Sequence, residues 1–185
     1  MVYHTVYLLF AVFLPIGVYH RIQAARSGET IDRRQEGWPL LIGIRLSGIA
    51  YFVAIYAGFR QPPTLPAAVQ WAGVALFAAA LSWLVWMFVS LGPNLTDTVV
   101  TRRSAYFVSH GPYRYVRNPM YASIIPVGAA LGLIQGNWLA PLLAVLCFTL
   151  LAIRTRIEER FLIARFGDTY KTYMREVGRF LPYIL

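Results

Sequence analysis

Eleven residues near the middle of the chain, Gly111-Pro112-Tyr113-Arg114-Tyr115-Val116-Arg117-Asn118-Pro119-Met120-Tyr121, concentrate two arginines, two prolines and three tyrosines between apolar blocks. Asn118-Pro119 is a helix-start signal, with Pro119 suited to the first turn. Arg117 at such a start, beside unpaired backbone N–H groups, makes a site for a carboxylate or phosphate. A second polar cluster, Arg154-Thr155-Arg156-Ile157-Glu158-Glu159-Arg160, follows the last apolar block. Carboxylates beside a membrane are costly unless paired or working. One of Glu158 and Glu159 can bind a cationic group or a sugar diol while the other holds an arginine. Gly111 with Tyr113, Tyr115 and Tyr121 offers a cleft for a flat ring, and His110 is a candidate general base.

Each feature also has a plainer reading. Arg117 and Arg114 serve equally as headgroup anchors whose stems snorkel to the surface. Asn118 serves as an N-cap. Arg154 and Glu158 stand four apart, the spacing of an intrahelical ion pair. Tyrosine is an ordinary residue of the membrane interface. His4, His20 and His110 lack the clustering of a zinc site, and there is no GxGxxG, P-loop or Ser-His-Asp pattern. The lone Cys147 lies in an apolar run and reads as packing.

The elements that must position these groups are membrane spans. Of 185 residues, 58% are apolar and only 14% charged, against about 25% charged in a soluble domain; the mean hydropathy is +0.53. The pattern predicts an all-α integral membrane protein with about five transmembrane helices. The first covers roughly Tyr3–Tyr19, without the basic start and small-residue cleavage site of a signal peptide. The second covers Leu40–Phe59 and the third Val69–Leu91. The block from Met120 to Ile153 is too long for one crossing, and Gly136-Asn137 at its centre is a turn signal. It divides into a short helical hairpin, 120–135 and 138–153. Residues 1–91 form a three-helix region on the substrate side, and 92–185 carry the polar loop, the hairpin and C-terminal helices.

The formal charge of +9 comes from basic residues beside apolar segments, which fits anionic lipid headgroups rather than nucleic acid. Arg21, Arg26, Arg33 and Arg34, then Arg102, Arg103, Arg114 and Arg117, then the residues after Ile153 fall on one face if there are five crossings. The positive-inside rule makes that face cytoplasmic and leaves the N-terminus outside. The polar loop and the tail then converge on the two ends of the hairpin, so that Arg117 and Glu158 become neighbours. Gly167 breaks the tail into two short helices, the second starting near Asp168 with Tyr170 and Tyr173 on it. This second helix is either a surface-lying amphipathic segment or a lid over the cleft. Arg45, near the start of the second span, is either a snorkelling residue or an attractant for an acidic group.

Residues 111–121 resemble the GPYRYVRHPMY signature of the isoprenylcysteine carboxyl methyltransferases, which related phospholipid N-methyltransferases share. The resemblance extends to Glu158-Glu159, to Phe166-Gly167-Asp168-Thr169-Tyr170-Lys171-Thr172-Tyr173, and to the terminal Arg179-Phe180-Leu181-Pro182. It covers about residues 90–182. It implies a multispan enzyme that uses S-adenosylmethionine in a cytoplasmic pocket and meets a lipophilic methyl acceptor arriving from the bilayer. Carried over by position, Arg117, Asn118, Pro119, Tyr121, Glu158 and Glu159 belong to the cofactor region, with Phe107, Val108, Gly111 and Tyr113 as its wall. Arg117, Glu158 and Glu159 are the residues assigned to catalysis.

Two positions depart from the family. Asn118 stands where the family has histidine, and an amide cannot titrate near neutral pH. Ala105 stands where the isoprenylcysteine enzymes often carry another histidine. The resemblance therefore implies methyl transfer to a prenylcysteine-like carboxylate or a similar lipid-like molecule, with amine and thiol acceptors left open. A scaffold or transport accessory protein that has lost the reaction is the reading from a different class.

Overall fold

The computed structural model describes residues 1–26, 38–92 and 107–184. Arg33, Arg34, Arg102, Arg103 and Ala105 lie outside the described residues. The described chain is helical: α1 (Val2–Arg26), α2 (Trp38–Phe59), α3 (Ala67–Leu91), a 3₁₀ turn (Gly111–Arg114), α4 (Pro119–Ala122), α5 (Ile124–Gln135), α6 (Leu139–Phe166) and α7 (Asp168–Glu176). In a low-dielectric surrounding each backbone group must find its partner within the chain, and an uninterrupted apolar run does so only as a helix. Four helices, α1, α2, α3 and α6, are long and apolar enough to cross a bilayer, which makes this a multi-pass membrane protein. The Pro119–Gln135 segment is shorter.

Two expectations are corrected here. The second half of the 120–153 block does not stop at Ile153. α6 runs without a break from Leu139 to Phe166, carrying Arg154, Glu158 and Glu159 on the same rigid rod as the apolar run. Charged side chains change which solvent a helix prefers but do not break its backbone pairing, and the first helix breaker is Gly167, at φ 57°. The tail therefore contains one separate helix rather than two. The first half of the block is interrupted at Ser123, which separates α4 from α5.

The core is built around α5, which packs between α3 and α6, with α1 against α3 and α2 against α6. Val6, Ile55, Val74, Phe77, Leu81, Ala130, Leu131, Ile134 and Ala140 form its buried cluster. Small residues let the backbones close up: a Cβ on Gly128 would overlap that of Ala144, and Gly132 lies on Pro141. These contacts run α5 and α6 antiparallel through the turn at Gly136, whose φ of 68° is left-handed. At this tip end Gln135 Nε2 donates to the Ile55 carbonyl at 3.0 Å and Thr64 Oγ1 to that of Gly136 at 3.4 Å. Cys147 is buried, as its apolar setting predicts.

On the inner side of α2 the Tyr51 hydroxyl is buried with no hydrogen-bond partner among the described residues. An unsatisfied buried hydroxyl costs about 1–3 kcal/mol. Tyr51→Phe is accordingly expected to leave the melting temperature in detergent unchanged or raise it. A clear fall would show that the hydroxyl has a partner.

Candidate functional site

The site is assembled where α3, α4 and α6 end together. Gly111, at φ 63°, lies so close to α3 that a Cβ would overlap Ser90 Oγ. This contact fixes the start of the signature loop on the end of α3. The next fastening is Trp83 Nε1, which donates to the Pro119 carbonyl at 3.1 Å. Then comes a short parallel pairing with the C-terminal segment: the Arg117 N–H donates to Gly178 O at 2.8 Å and the Asn118 N–H to Arg179 O at 3.1 Å. Asn118 does not cap α4 with its side chain; its Nδ2 reaches Arg179 O at 3.4 Å instead.

These pairings take up part of the N–H set expected beside Arg117 at the start of α4. The N–H groups of residues 117 and 118 are used by the C-terminal segment, and Pro119 has none. The guanidinium is used as well: Nε donates to Glu159 Oε1 at 3.1 Å and Nη1 to the carbonyls of Met174, at 2.6 Å, and Val177. Arg179 reaches the same carboxylate, with Nε to Oε1 at 3.1 Å and Nη2 to Oε2 at 2.6 Å. Glu159 thus sits between two arginines, and Arg117 and Glu159 are both buried. The expected approach of the loop to the end of α6 is present, but residue 117 meets Glu159 rather than Glu158.

Glu158 has a different setting. Tyr121 Oη donates to its Oε1 at 2.6 Å, and Arg154 Nε lies 3.6 Å from the same oxygen, the i,i+4 pair expected from spacing. Its side chain retains 16% exposure against 5% for Glu159. A helical step of 100° separates neighbouring residues, which turns one carboxylate into the arginine clamp and the other toward Tyr121.

Around this carboxylate pair stand aromatics. Phe107 packs edge-on against Tyr170 and Tyr173, with centroids at 5.9 and 5.0 Å, and tilted on Phe166 at 5.7 Å. Tyr173 Oη donates to the Tyr113 carbonyl, and Val108 is buried nearby in sequence. The three tyrosines of the signature do not share one cleft. Tyr121 faces Glu158, Tyr113 meets α7, and Tyr115 lies against Trp86 at 6.1 Å and is exposed. His110 is exposed at the start of the 3₁₀ turn. Among the described residues no group of histidines, cysteines or carboxylates suits a metal. Sequence reasoning missed Trp83 and the Arg179–Glu159 contact; the terminal Arg-x-x-Pro motif was the available sign of the second.

Burial pushes the phenols of Tyr113, Tyr170 and Tyr173 well above the ordinary tyrosine range. The unfolded chain loses these protons from about pH 10 while the folded chain keeps them. Stability carried by these groups is full below that pH and lost as pH rises toward the folded values. The melting temperature is therefore expected to hold from about pH 7 to 9 and drop from about pH 10, less steeply in Tyr170→Phe. A flat profile to about pH 11 would contradict this.

Long apolar helices and a polar assembly at one end define an all-α integral membrane protein. The phospholipid methyltransferase family profile matches residues 68–169, more than half of the chain, and the protein belongs to that family. Over 99 residues it is 28% identical to a protein-S-isoprenylcysteine O-methyltransferase of Schizosaccharomyces pombe, covering 52% of this chain and 42% of the relative. Over 162 residues it is 31% identical to a methanethiol S-methyltransferase of Mycobacterium tuberculosis, covering 71% of this chain and 60% of the relative. The chain thus spans less than two thirds of either relative. The solved structure of the eukaryotic intramembrane Ras methyltransferase, isoprenylcysteine carboxyl methyltransferase, superposes with a TM-score of 0.59 over 95% of this chain and 67% of that one. At 19% identity this is a likeness of fold.

Proposed function

We propose that the protein transfers a methyl group from S-adenosylmethionine to a lipophilic acceptor. The observation that carries this reading is the partly open Glu158 carboxylate, held by Tyr121 beside aromatic residues within the segment matched by the family profile. The donor set suits the cofactor. Glu158 can accept from an ammonium or from ribose hydroxyls, and Phe107, Tyr113, Tyr170 and Tyr173 supply flat apolar walls. S-adenosylmethionine, when bound, supplies an electrophilic methyl on a sulfonium. The protein's part is alignment, since holding nucleophile and methyl within about 3–3.5 Å removes much of the barrier.

In this reading Glu158 is the ligand. Arg117 and Glu159 are positioning residues that hold the C-terminal segment and α7 in place. α7 closes the pocket against water. Gly111, Asn118 and Pro119 act through the backbone path of the loop. The pocket faces the cytoplasm and the N-terminus lies outside, with α4–α5 and α6 as the final hairpin. Residues 1–91 shape the acceptor side and 92–185 the cofactor side.

A carboxylate acceptor, as in prenylcysteine, is ionised at neutral pH and needs no base, which suits a site with Asn118 where the family has histidine. A thiol acceptor is the second reading, supported by the mycobacterial relative, which matches 71% of this chain. Calorimetric titration with S-adenosylhomocysteine tests the cofactor, and methyl transfer to a panel of alkyl thioether carboxylates, alkylamines and thiols tests the acceptor. Saturable binding at about one site per chain is expected. A folded sample that binds none would support a protein that has lost the reaction.

A further inference from the structure

A cleft of about 310 Å³ is lined by Arg114, Tyr115, Glu176 and Tyr183. That volume is at the small end of the range for ligand sites. Tyr115 is the signature tyrosine that meets Trp86 of α3 and not the Glu158 carboxylate. Opposite charges stand on the walls of this cleft without meeting. Neither the Arg114 guanidinium nor the Glu176 carboxylate has an ion-pair or hydrogen-bond partner among the described residues. The walls therefore offer one cation and one anion to an occupant, with no net charge between them. Two phenol rings complete the set, and aromatic faces attract quaternary ammonium groups.

Tyr183 carries a second, independent sign. Its φ is 65°, and it is the only non-glycine residue with a positive φ among the described residues. The left-handed region is unfavourable for a bulky side chain, and such strain recurs at ligand clamps. Packing within the chain does not repay it, since Tyr183 is 90% exposed. The turn that imposes it is closed by the Ile184 N–H donating to Leu181 O and the Arg179 N–H to Ile184 O, both at 3.3 Å. A strained backbone thus presents a bare ring to the cleft.

Two ring contacts fix the level at which the cleft opens. Phe180, beside the same turn, packs on Phe148 at 5.0 Å. Phe148 lies six residues, about 9 Å, on the apolar side of Arg154 along α6. Tyr115 lies on Trp86 at 6.1 Å, five residues before α3 ends. Leu181 and Ile184, next to Tyr183, are apolar and exposed. The cleft therefore opens where the apolar spans give way to charge, which is the level of lipid headgroups.

We propose that this cleft seats the headgroup of one zwitterionic phospholipid, held as a structural lipid and not as a methyl acceptor. The Arg114 guanidinium takes the phosphate. Glu176 and the rings of Tyr115 and Tyr183 take the ammonium, and the acyl chains pass Leu181 and Ile184. The balanced charge of the walls selects a zwitterion over an anionic lipid. The backbone of Arg179 joins the Tyr183 turn to Asn118, so the lipid braces the segment that Glu159 clamps. The proposal is independent of the methyl-transfer reading.

The test uses the intact chain, stripped of lipid in dodecyl maltoside and titrated with dihexanoyl phosphatidylcholine below its micellar concentration. Native mass spectrometry counts the bound lipid, and thermal unfolding reads its effect. Phosphatidylcholine is already fully methylated, so its binding does not report an acceptor. Dihexanoyl phosphatidylglycerol keeps the phosphate and chains without the ammonium, and glycerophosphocholine keeps the headgroup without the chains. One saturable phosphatidylcholine per chain is expected, with a rise in melting temperature. Phosphatidylglycerol should bind about tenfold more weakly, and glycerophosphocholine should not saturate. Glu176→Gln should bring phosphatidylcholine down to the level of phosphatidylglycerol, and Arg114→Gln should weaken both. Tyr183→Gly suits the left-handed backbone, so the lipid-free variant should melt no lower than the parent while losing affinity severalfold. A tyrosine with a merely structural role would not give that combination. Equal retention of the two lipids, unchanged in all three variants, would mean ordinary annular lipid and overturn the proposal. Glycerophosphocholine binding as tightly as the lipid would assign a soluble ligand and overturn it too.

Discussion

Glu159→Ala is expected to be among the most destabilising single substitutions in the protein and to release its C-terminal segment. The carboxylate receives Arg117 and Arg179 together, and both Glu159 and Arg117 are almost fully enclosed. Removing one partner of a buried ion pair costs about 3–5 kcal/mol, because the remaining charge stays without compensation. The Arg179 side chain is 32% exposed, so its share is partly screened and the larger part of the loss falls on Arg117. Arg117 also holds the Met174 and Val177 carbonyls, and its own N–H holds Gly178. A disturbed guanidinium therefore loosens the end of α7 and the strand-like pairing at once.

The measurements are thermal unfolding in detergent and limited trypsin cleavage at Arg179. The alanine variant should melt well below the parent and be cut first at that site. Glu159→Gln should fall between the two. Replacing all three groups with apolar residues of similar volume, Arg117→Met, Glu159→Leu and Arg179→Met, should recover only part of the loss, since an apolar core is often no worse than a buried ion cluster but the Met174 and Val177 carbonyls lose their donor. If Glu159→Ala melts with the parent and resists trypsin equally, the clamp is not what holds this segment.

How much of this was legible beforehand differs by element. The first three spans could be read because a helix must be apolar along its whole length to face lipid, so α1, α2 and α3 announce themselves by hydropathy alone. The length of α6 could not be read in that way. Its last turns change from apolar to charged at Arg154, and hydropathy marks the change of solvent, not the end of the helix. Gly167 was the better marker, as the residue able to take the left-handed end.

At the site, the two glutamates were found by type and place, yet their roles were interchangeable on paper. Adjacent residues on a helix point 100° apart, and only the position of neighbouring chains tells which direction is wall and which is cavity. The pairing of 116–118 with 178–179 had no local sign, because backbone hydrogen bonds carry no side-chain signature. Asn118 illustrates the point. Its cap-like sequence context is genuine, but the competing acceptor at Arg179 lies sixty-one residues away.

The second large effect falls on binding. Glu158→Gln is expected to weaken S-adenosylhomocysteine binding by about 10- to 100-fold, the worth of a hydrogen bond to a charged acceptor. The amide can still accept from Tyr121 Oη, so the local geometry survives while the charge is lost. The cost in melting temperature should be well below that of Glu159→Ala, because Glu158 already meets solvent and is not enclosed between two arginines. Tyr121→Phe leaves the carboxylate charged but frees its orientation, and should weaken binding only severalfold. Ligand-induced thermal shifts give the same order independently, since a ligand that binds only the folded state raises its stability with the logarithm of its saturation. A Glu158→Gln variant that stays folded and binds within about twofold of the parent would remove Glu158 from the cofactor site. The neighbouring Glu159 could not take its place without giving up Arg117, and the binding carboxylate would then have to be sought outside this helix.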